Sequence, residues 1–379
     1  MQKRLIHLIT AARPNMMKVA PLYHALTAES WADVRLVHTG QHYDDAMSGA
    51  FLRDFNLPQP HHHLGIGSAT HAEQTGLTMI AYETLCRQTK PDLVVVVGDV
   101  NATIACALAA KKLNIQVAHL EAGLRSGDRS MPEEINRLAV DAISDYHWTP
   151  SRDATAQLRR EGALAANVSE VGNMMIDAYC LMEDKIKSDG TRASLNLSTG
   201  RYAVMTFHRP GNVDYGKPLT ALIGIMEQIA NNLPVVFPIH PRTLVRLNAT
   251  GLIDRIHAHP MIFDTAPLPY VPFMNLVSGA RFVVTDSGGV QEETSYLGIP
   301  CLTMRGTTER PITISEGTNK LTNHHNLVAD IRKILAEPMP LRPQIMGWDG
   351  HAAKRTVAQV KSILNVTGAT GEASLQTVA

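Results

Sequence analysis

Short apolar runs alternate with longer amphipathic stretches along the first half of the chain. The predicted strands lie at 4–10, 33–40, 93–99 and 115–123, and the predicted helices at 16–27, 71–89 and 101–113. The strand segments are rich in valine, leucine and isoleucine, whereas the helical segments repeat their apolar residues every three to four positions. Because strand and helix alternate, the pattern predicts a parallel sheet that is covered by helices on both faces.

The same alternation restarts at RYAVMTFHR, residues 201–209. Further strands are predicted at 234–241, 282–288 and 300–305, and helices at 218–232 and 290–298. The chain of 379 residues also exceeds the size of one comfortable hydrophobic core. We therefore predict an α/β protein with two Rossmann-like doubly wound domains and an interdomain cleft.

The domain boundaries are predicted from breaks in this pattern. Residues 1–172 form the predicted N-terminal domain, with the candidate catalytic carboxylates, and residues 173–355 form the predicted C-terminal domain. Residues 356–379 are expected to be a C-terminal helix or tail that packs back on the N-terminal domain. We expect residues 184–200 to be an exposed, weakly structured connection and the histidines at 61–63 to lie in a loop.

Composition narrows the class of protein. Lys plus Arg equals Asp plus Glu at 35 each, and aromatic residues make up 5% of the chain, so nothing favours nucleic acid as a partner. No apolar run reaches 18 residues, which argues against a membrane span. The four cysteines have no CxxC spacing. This usage indicates reduced thiols and a cytoplasmic location.

Carboxylates follow several of the predicted strands. Asp99, Glu121 and Glu133 lie at or just beyond strand ends, where a parallel sheet binds its ligands. Each could simply pair with a nearby arginine such as Arg137. Together beside a ligand site they could instead carry out acid–base chemistry. His208 follows the first strand of the second half and could donate a proton to a leaving group, or could be structural.

A second group of residues points to phosphate. Ser287, Gly288 and Gly289 join a strand to a helix, where backbone N–H groups bind phosphate, although an ordinary helix cap has the same composition. Arg13 and Lys18 follow the first strand, and Arg305 and Arg310 follow the last. The GxGxxG, GxxxxGK[ST] and DxD motifs are absent from the sequence. We therefore expect a nucleotide diphosphate held by basic groups and helix dipoles, with no metal and no cofactor.

Motifs between residue 11 and about residue 311 occur together in one order. They are ARPNMMKVAPL, GQH, VVGDVNATIA, HLEAGLRSGDRSMPEEINR, GNMMIDA, HRPGNVD, TDSGGVQEE and MRGTTERP. This combination resembles the non-hydrolysing UDP-N-acetylglucosamine 2-epimerase family. The resemblance implies a glycosyltransferase-B-like fold, usually as a homodimer. It also implies interconversion of UDP-N-acetylglucosamine and UDP-N-acetylmannosamine, for cell-surface polysaccharide precursors.

The resemblance assigns roles by motif. Asp99, Glu121, Glu133 and His208 fall on positions that resemble the family's catalytic residues. The positions that resemble its substrate-binding residues are Arg13, Lys18, Arg137, Phe273, Ser287, Gly288, Gly289, Glu293 and Arg310, with Phe273 beside the uracil. The positions near its secondary nucleotide-sugar site are Gln41, His42, Arg209 and His240. Pro210 and Gly211 replace an arginine and a glutamate of the family pattern, which weakens the prediction of that secondary site more than that of catalysis.

Three other functions share the predicted fold. A hydrolysing 2-epimerase would release N-acetylmannosamine and UDP, and a related 2-epimerase would act on a UDP-diacetamido uronic acid. A glycosyltransferase of the same fold would need an acceptor and would leave UDP-N-acetylglucosamine unchanged on its own. The sequence alone leaves the exact sugar substituents open.

Overall fold

The computed structural model describes residues 3–11, 13–40 and 51–366, and of Arg13 and Pro14 it describes the backbone alone. Within this part of the chain, the strands form two separate parallel sheets. The prediction of two doubly wound α/β sheets is confirmed.

The first sheet has seven strands in the order β3-β2-β1-β4-β5-β6-β7. Its strands are β1 (Arg4–Thr10), β2 (Ala32–His38), β3 (His62–His63), β4 (Leu93–Val97), β5 (Gln116–Leu120), β6 (Tyr146–Thr149) and β7 (Val168–Glu170). The strand order reverses between β1 and β4. In such sheets the crevice outside the carboxyl ends at this point is the ligand site.

The second sheet has six strands in the order β10-β9-β8-β11-β12-β13. They are β8 (Ala203–Thr206), β9 (Val235–Pro238), β10 (Ile262–Thr265), β11 (Phe282–Thr285), β12 (Cys301–Met304) and β13 (Asn319–Thr322). Here the order reverses between β8 and β11. His208 follows β8 and Ser287 follows β11, so both lie at the second crevice.

The helices connect these strands. They are α1 (Arg13–Thr27), α2 (His71–Thr89), α3 (Asn101–Lys112), α4 (Pro132–Ile143), α5 (Arg152–Arg160), α6 (Met174–Ser188), α7 (Thr191–Ser194), α8 (Pro210–Val213), α9 (Gly216–Ala230), α10 (Pro241–Thr250), α11 (Leu252–Ala258), α12 (Tyr270–Ser278), α13 (Gly288–Leu297), α14 (Ile312–Ser315), α15 (Leu327–Ala336) and α16 (Ala352–Ile363). Residues 51–54 are also helical. None of the helices in the described residues is long and apolar enough to cross a membrane.

Helix α6 and helix α16 join the two halves. Helix α6 packs against α1 of the first half and against α12 and α13 of the second. Helix α16 returns from the second half and packs against α1 and α6. Asp177 on α6 accepts hydrogen bonds from the Ala352 and Ala353 N–H groups at 3.0 and 2.8 Å, and so caps α16.

Two local predictions are wrong. Residues 184–200 are not a weakly structured connection, because α6 continues to Ser188, and Ile186 and Leu197 are buried. The histidines at 61–63 do not lie wholly in a loop, because His62 and His63 pair with Val37 and His38 of β2. In both segments, apolar or ladder contacts with distant parts of the chain order a stretch that looks polar in sequence.

Candidate active site

A cavity of about 380 Å³ lies between the carboxyl ends of the two sheets. Its lining combines residues from both halves of the chain, among them Lys18, Asp99, Glu133, Arg137, His208, Arg209, Phe273, Ser287, Gly288, Gly289, Glu293 and Arg310. Helix α1, which follows β1, and the segments that follow β4, β8 and β11 all reach this cavity. These segments lie on both sides of the two points where strand order reverses.

Asp99 is held at the cavity by a buried arginine. Its carboxylate forms an ion pair with Arg137, while about a third of its side chain stays exposed. Arg137 also pairs with Glu134 at 2.7 Å. Glu134 in turn accepts hydrogen bonds from the Ser126 and Gly127 N–H groups at 3.0 and 2.9 Å. The first two turns of α4 therefore fix both Asp99, through Arg137, and the loop that precedes α4, through Glu134.

Glu121 lies at the end of β5, just behind the cavity wall, and is buried. Its backbone adopts φ of 72°, a left-handed conformation that costs a residue with a Cβ about 1–2 kcal/mol. Its carboxylate forms an ion pair with Lys18 and lies 4.0 Å from Arg310. Burial opposes ionisation, but the charges of Lys18 and Arg310 outweigh it and lower the pKa of Glu121. Glu121 is therefore an ionised carboxylate in a buried place.

Arg310 is surrounded by carboxylates. Its guanidinium pairs with Glu292 at 2.8 Å and with Glu309, in addition to its approach to Glu121. Burial opposes the charge, yet these carboxylates raise the pKa of Arg310. Because acidic and basic groups alternate through this cluster, the site holds charge without a large net charge of either sign.

The start of helix α13 faces the cavity with small residues. No side chain caps the first turn of this helix, which Ser287 precedes. A Cβ at Gly288 would lie 2.8 Å from Oε1 of Glu309 and 3.0 Å from Nη1 of Arg310, so a larger residue would have to displace this ion pair. An uncapped helix N-terminus beside arginine is a binding site for an anion such as phosphate.

His208 is oriented by a buried aspartate. Its Nδ1 lies 2.8 Å from Oδ1 of Asp286, which also accepts hydrogen bonds from the backbone N–H groups of His208 and Arg209. Burial opposes ionisation of Asp286, but its hydrogen bond with His208 outweighs this and lowers the pKa of the carboxyl. The geometry leaves Nε2 on the side of the ring that points away from Asp286.

Glu293 differs from the other carboxylates of the site. It is buried on α13 beside Tyr270, and no described residue bonds its Oε1. Burial raises its pKa to about 8, and the nearby charge of Glu292 adds to the rise. At neutral pH this side chain is therefore mostly a carboxylic acid, which can both donate and accept a hydrogen bond.

Not every predicted residue lies at the cavity. Gln41, His42 and the side chain of Arg13 lie outside the described residues. His240 caps α10 and places its ring 5.3 Å from that of His208, without lining the cavity. Arg305, expected to bind phosphate, pairs instead with Glu309 at 2.8 Å and lines a neighbouring cavity.

Sequence reasoning also missed residues that shape the site. Asp286 and Glu309 orient His208 and Arg310, and Tyr270 covers Glu293. Asp286 directly precedes Ser287, and Glu309 directly precedes Arg310, so adjacency to a predicted residue was the available signal. Nothing in the local sequence around Tyr270 marks it.

Comparison with known proteins gives consistent matches. The family model described as UDP-N-acetylglucosamine 2-epimerase matches residues 24–361. The UDP-N-acetylglucosamine 2-epimerase of Methanocaldococcus jannaschii is 41% identical over 338 residues, which cover 87% of this chain and 92% of the relative. The UDP-2,3-diacetamido-2,3-dideoxy-D-glucuronate 2-epimerase of Pseudomonas aeruginosa is 35% identical over 352 residues, covering 92% and 96%.

Solved structures resemble the whole chain as well. The crystal structure of the Methanocaldococcus jannaschii UDP-GlcNAc 2-epimerase, in complex with UDP-GlcNAc and UDP, matches with a TM-score of 0.86 and 38% identity. The match covers 94% of this chain and 99% of that one. Both sheets of the present structure therefore have their counterparts in a single protein.

Proposed function

The chain belongs to the UDP-N-acetylglucosamine 2-epimerase family, and from this premise we propose that it interconverts UDP-N-acetylglucosamine and UDP-N-acetylmannosamine. The observation that carries the proposal is the cavity between the two sheets. Carboxylates of the first half and the helix start and basic groups of the second half line it together. The first set serves proton transfer, and the second serves the departure and return of a diphosphate.

The reaction must invert a carbon whose hydrogen is not acidic. The C2–H of the sugar is not next to a carbonyl, so a side-chain base cannot remove its proton directly. Breaking the C1–O bond to UDP gives the sugar oxocarbenium character, which acidifies C2–H. Loss of that proton yields a glycal and UDP. Protonation of the opposite face of C2 and return of UDP to C1 then give the epimer.

The described side chains can divide this work. Asp99, Glu121 and Glu133 share removal and return of the C2 proton, and their negative charge stabilises the cationic C1. The first turn of α13 and Arg310 bind the departing diphosphate, and Lys18 supplies a further positive charge. His208, held by Asp286, donates from Nε2 to the leaving phosphate. None of these steps requires a metal or a redox cofactor.

Incubation of the pure protein with UDP-N-acetylglucosamine alone tests the proposal. We expect NMR to show the manno epimer, and in D₂O the deuterium should enter only at C2. Formation of the epimer without deuterium would exclude the elimination mechanism, and release of free N-acetylmannosamine would identify a hydrolysing enzyme.

Glu121→Gln tests the assignment of the carboxylates. Because general acid–base groups contribute roughly 10²–10⁴-fold, we expect kcat to fall at least 100-fold. Asp128→Asn is the matched control, since Asp128 lies on the same loop and its carboxylate accepts hydrogen bonds from Ser130. The control should keep at least half of the wild-type kcat; an equal loss in both variants contradicts the assignment.

A second substrate remains a candidate, because the Pseudomonas aeruginosa relative carries the name of a diacetamido-glucuronate 2-epimerase. The same elimination would apply to that sugar, whose C2 also bears an acetamido group. Comparing kcat/KM for the two nucleotide sugars decides between them, and a ratio of more than about 10 in favour of the uronate would reassign the substrate.

We also propose that the protein is a cytoplasmic homodimer that serves polysaccharide precursor synthesis. Leu77 and Ile80, which are 51% and 63% exposed on one face of α2, form an apolar surface suited to a second copy. Ile80→Asp should convert the dimer into a monomer in light scattering. A monomeric wild-type protein contradicts the proposed assembly.

A further inference from the structure

A fully buried histidine connects the two loops that bear Asp99 and Glu121. His119 on β5 has no solvent exposure, and its side chain does not line the cavity. Its Nδ1 lies 2.6 Å from Oδ1 of Asp141 on α4, and its Nε2 lies 2.9 Å from the carbonyl oxygen of Gly98. Gly98 directly precedes Asp99, and His119 is two residues from Glu121.

Both ring nitrogens of His119 have an oxygen partner. One partner is a side-chain carboxylate and the other is a backbone carbonyl. Burial of Asp141 is outweighed by the charges of His119 and Arg125, which lower its pKa to about 2, so this partner is a carboxylate. The ring of His119 therefore bridges the Asp141 carboxylate and the Gly98 carbonyl inside the fold.

Asp141 links His119 to the turn formed by residues 121–123. Its Oδ2 accepts hydrogen bonds from the Gly123 N–H at 3.0 Å and from Arg125 at 2.7 Å. Glu121 and Gly123 both have positive φ, at 72° and 84°, so the turn needs tertiary support to stay in this shape. One buried hydrogen-bonded pair, His119 and Asp141, thus holds the Gly98–Asp99 turn and the 121–123 turn in a fixed relation.

We propose that His119, paired with Asp141, is a positioning residue that fixes Asp99 and Glu121 relative to each other for proton transfer. The inference rests on the epimerase function proposed above. His119 contacts no part of the cavity, so its effect must act through the two turns. Since a displacement of about 1 Å at a reacting group can cost ~100-fold in rate, its loss should lower kcat.

His119→Gln tests this inference, since glutamine keeps a polar side chain but lacks the two ring nitrogens that reach Asp141 and the Gly98 carbonyl. We expect kcat to fall about 10- to 100-fold, while KM and the Kd of UDP change less than about threefold. KM and Kd should change little because the diphosphate is proposed to bind mainly to the first turn of α13 and to Arg310, which line the cavity, whereas His119 does not.

His147→Gln is the matched control. His147 lies beside His119 in the neighbouring strand, is also buried, and donates from Nε2 to the backbone oxygen of Asp141 at 2.8 Å. It reaches neither turn. It should lose comparable thermal stability and keep kcat within about twofold of wild type. Equal loss of kcat in both variants, or an unchanged kcat in His119→Gln, overturns the inference.

Asp141→Asn provides a second route if His119→Gln does not fold. It removes the counter-charge and leaves the ring in place, and the same selective loss of kcat is expected. The double variant should lose no more than about threefold beyond either single one, because both act through one pair. An additive loss contradicts the pair, whereas a wild-type protein that forms no epimer contradicts the proposed function and not this inference.

Discussion

Glu121 and Glu293 are both buried carboxylates, and their neighbours give them opposite charge states. Lys18 and Arg310 overcome the burial of Glu121 and lower its pKa. No cation is among the causes that act on Glu293, so burial raises its pKa to about 8. The residue type therefore does not fix the charge at these positions; the groups that the fold brings near them do.

The raised pKa of Glu293 predicts a pH-dependent cost to stability. The folded protein keeps a proton that the unfolded chain releases, so stability falls as the pH rises from about 4.5 to about 8. Glu293→Gln removes this cost. Relative to wild type, we expect the variant to gain about 1.4 kcal/mol in unfolding free energy per pH unit across this window. Denaturant unfolding at pH 5 and pH 9 measures the change.

Glu134→Gln provides the control of opposite sign. Burial of Glu134 is outweighed by its hydrogen bonds to Ser126, Gly127 and Arg137, which lower its pKa. Its variant should be less stable than wild type at neutral pH, and the difference should shrink as the pH falls through the acidic range. If the gain in unfolding free energy of Glu293→Gln over wild type does not grow with pH, Glu293 is not a neutral carboxylic acid in the folded protein.

Among the elements, β1 and α2 meet through a buried histidine. His7 of β1 lies 3.1 Å from the hydroxyl of Tyr82 and 3.3 Å from that of Thr89, both on α2. Burial, together with the charges of His62 and Arg35, lowers its pKa to about 4. The packing of this helix on the sheet therefore requires a neutral ring.

This contact predicts acid sensitivity. The unfolded chain binds a proton at His7 near pH 6.5 and the folded protein only near pH 4, so the contribution present above pH 6.5 is lost as the pH falls to about 4. The full effect amounts to about 3 kcal/mol. His7→Gln should unfold with a flatter pH dependence over this range in thermal or denaturant titrations. A wild-type slope in His7→Gln contradicts the prediction.

On the scale of the whole molecule, the two segments of chain that connect the halves contact each other, one at Gly172 and the other at Gly347. Gly172 and Gly347 both have positive φ, and they pack against each other. Arg355 binds the backbone oxygens of Val171 and Gly347 at 2.5 and 2.9 Å. The domain boundary at residue 172 and a hinge there stay predictions, but any such motion would involve this contact.

Gly172→Ala tests the close contact between Gly172 and Gly347. A Cβ at this position would overlap the Gly347 carbonyl oxygen and lie 2.5 Å from Nη2 of Arg355. Gly162→Ala is the control, because Gly162 has nearly the same φ, 91° against 93°, with no atom within 4 Å of the added Cβ. Both variants should lose about 1 kcal/mol for the conformation, and Gly172→Ala should lose at least about 2 kcal/mol more from the clash. Equal losses contradict the close packing.

Local signals explain which elements the sequence could predict. Helix α2 was predicted with its observed bounds from its amphipathic pattern. The bounds are set locally, because Thr70 and Glu73 form a capping box and the helix ends at Lys90. Strands β6, β7, β10 and β13 were not predicted. Their sequences YHWT, VSE, IFDT and NKLT mix polar with apolar residues, whereas equally short strands that were predicted, such as FVVT of β11, are mainly apolar. Their order therefore depends on pairing with neighbouring strands. The ordered segment around residues 184–200 depends in the same way on distant contacts.

The sequence by itself determined the two-sheet α/β class, the family, and the loops that supply the site, because these depend on local periodicity and short motifs. Only the tertiary structure decided which charges meet. Lys18 and Glu121 are 103 residues apart, and His119 bonds Asp141 on another element. The lowered pKa of Glu121 and the raised pKa of Glu293 depend on which groups the fold brings near each carboxylate. No local sequence pattern encodes those contacts. Only the tertiary structure therefore places the carboxylates proposed for proton transfer and the groups proposed for diphosphate binding around one cavity.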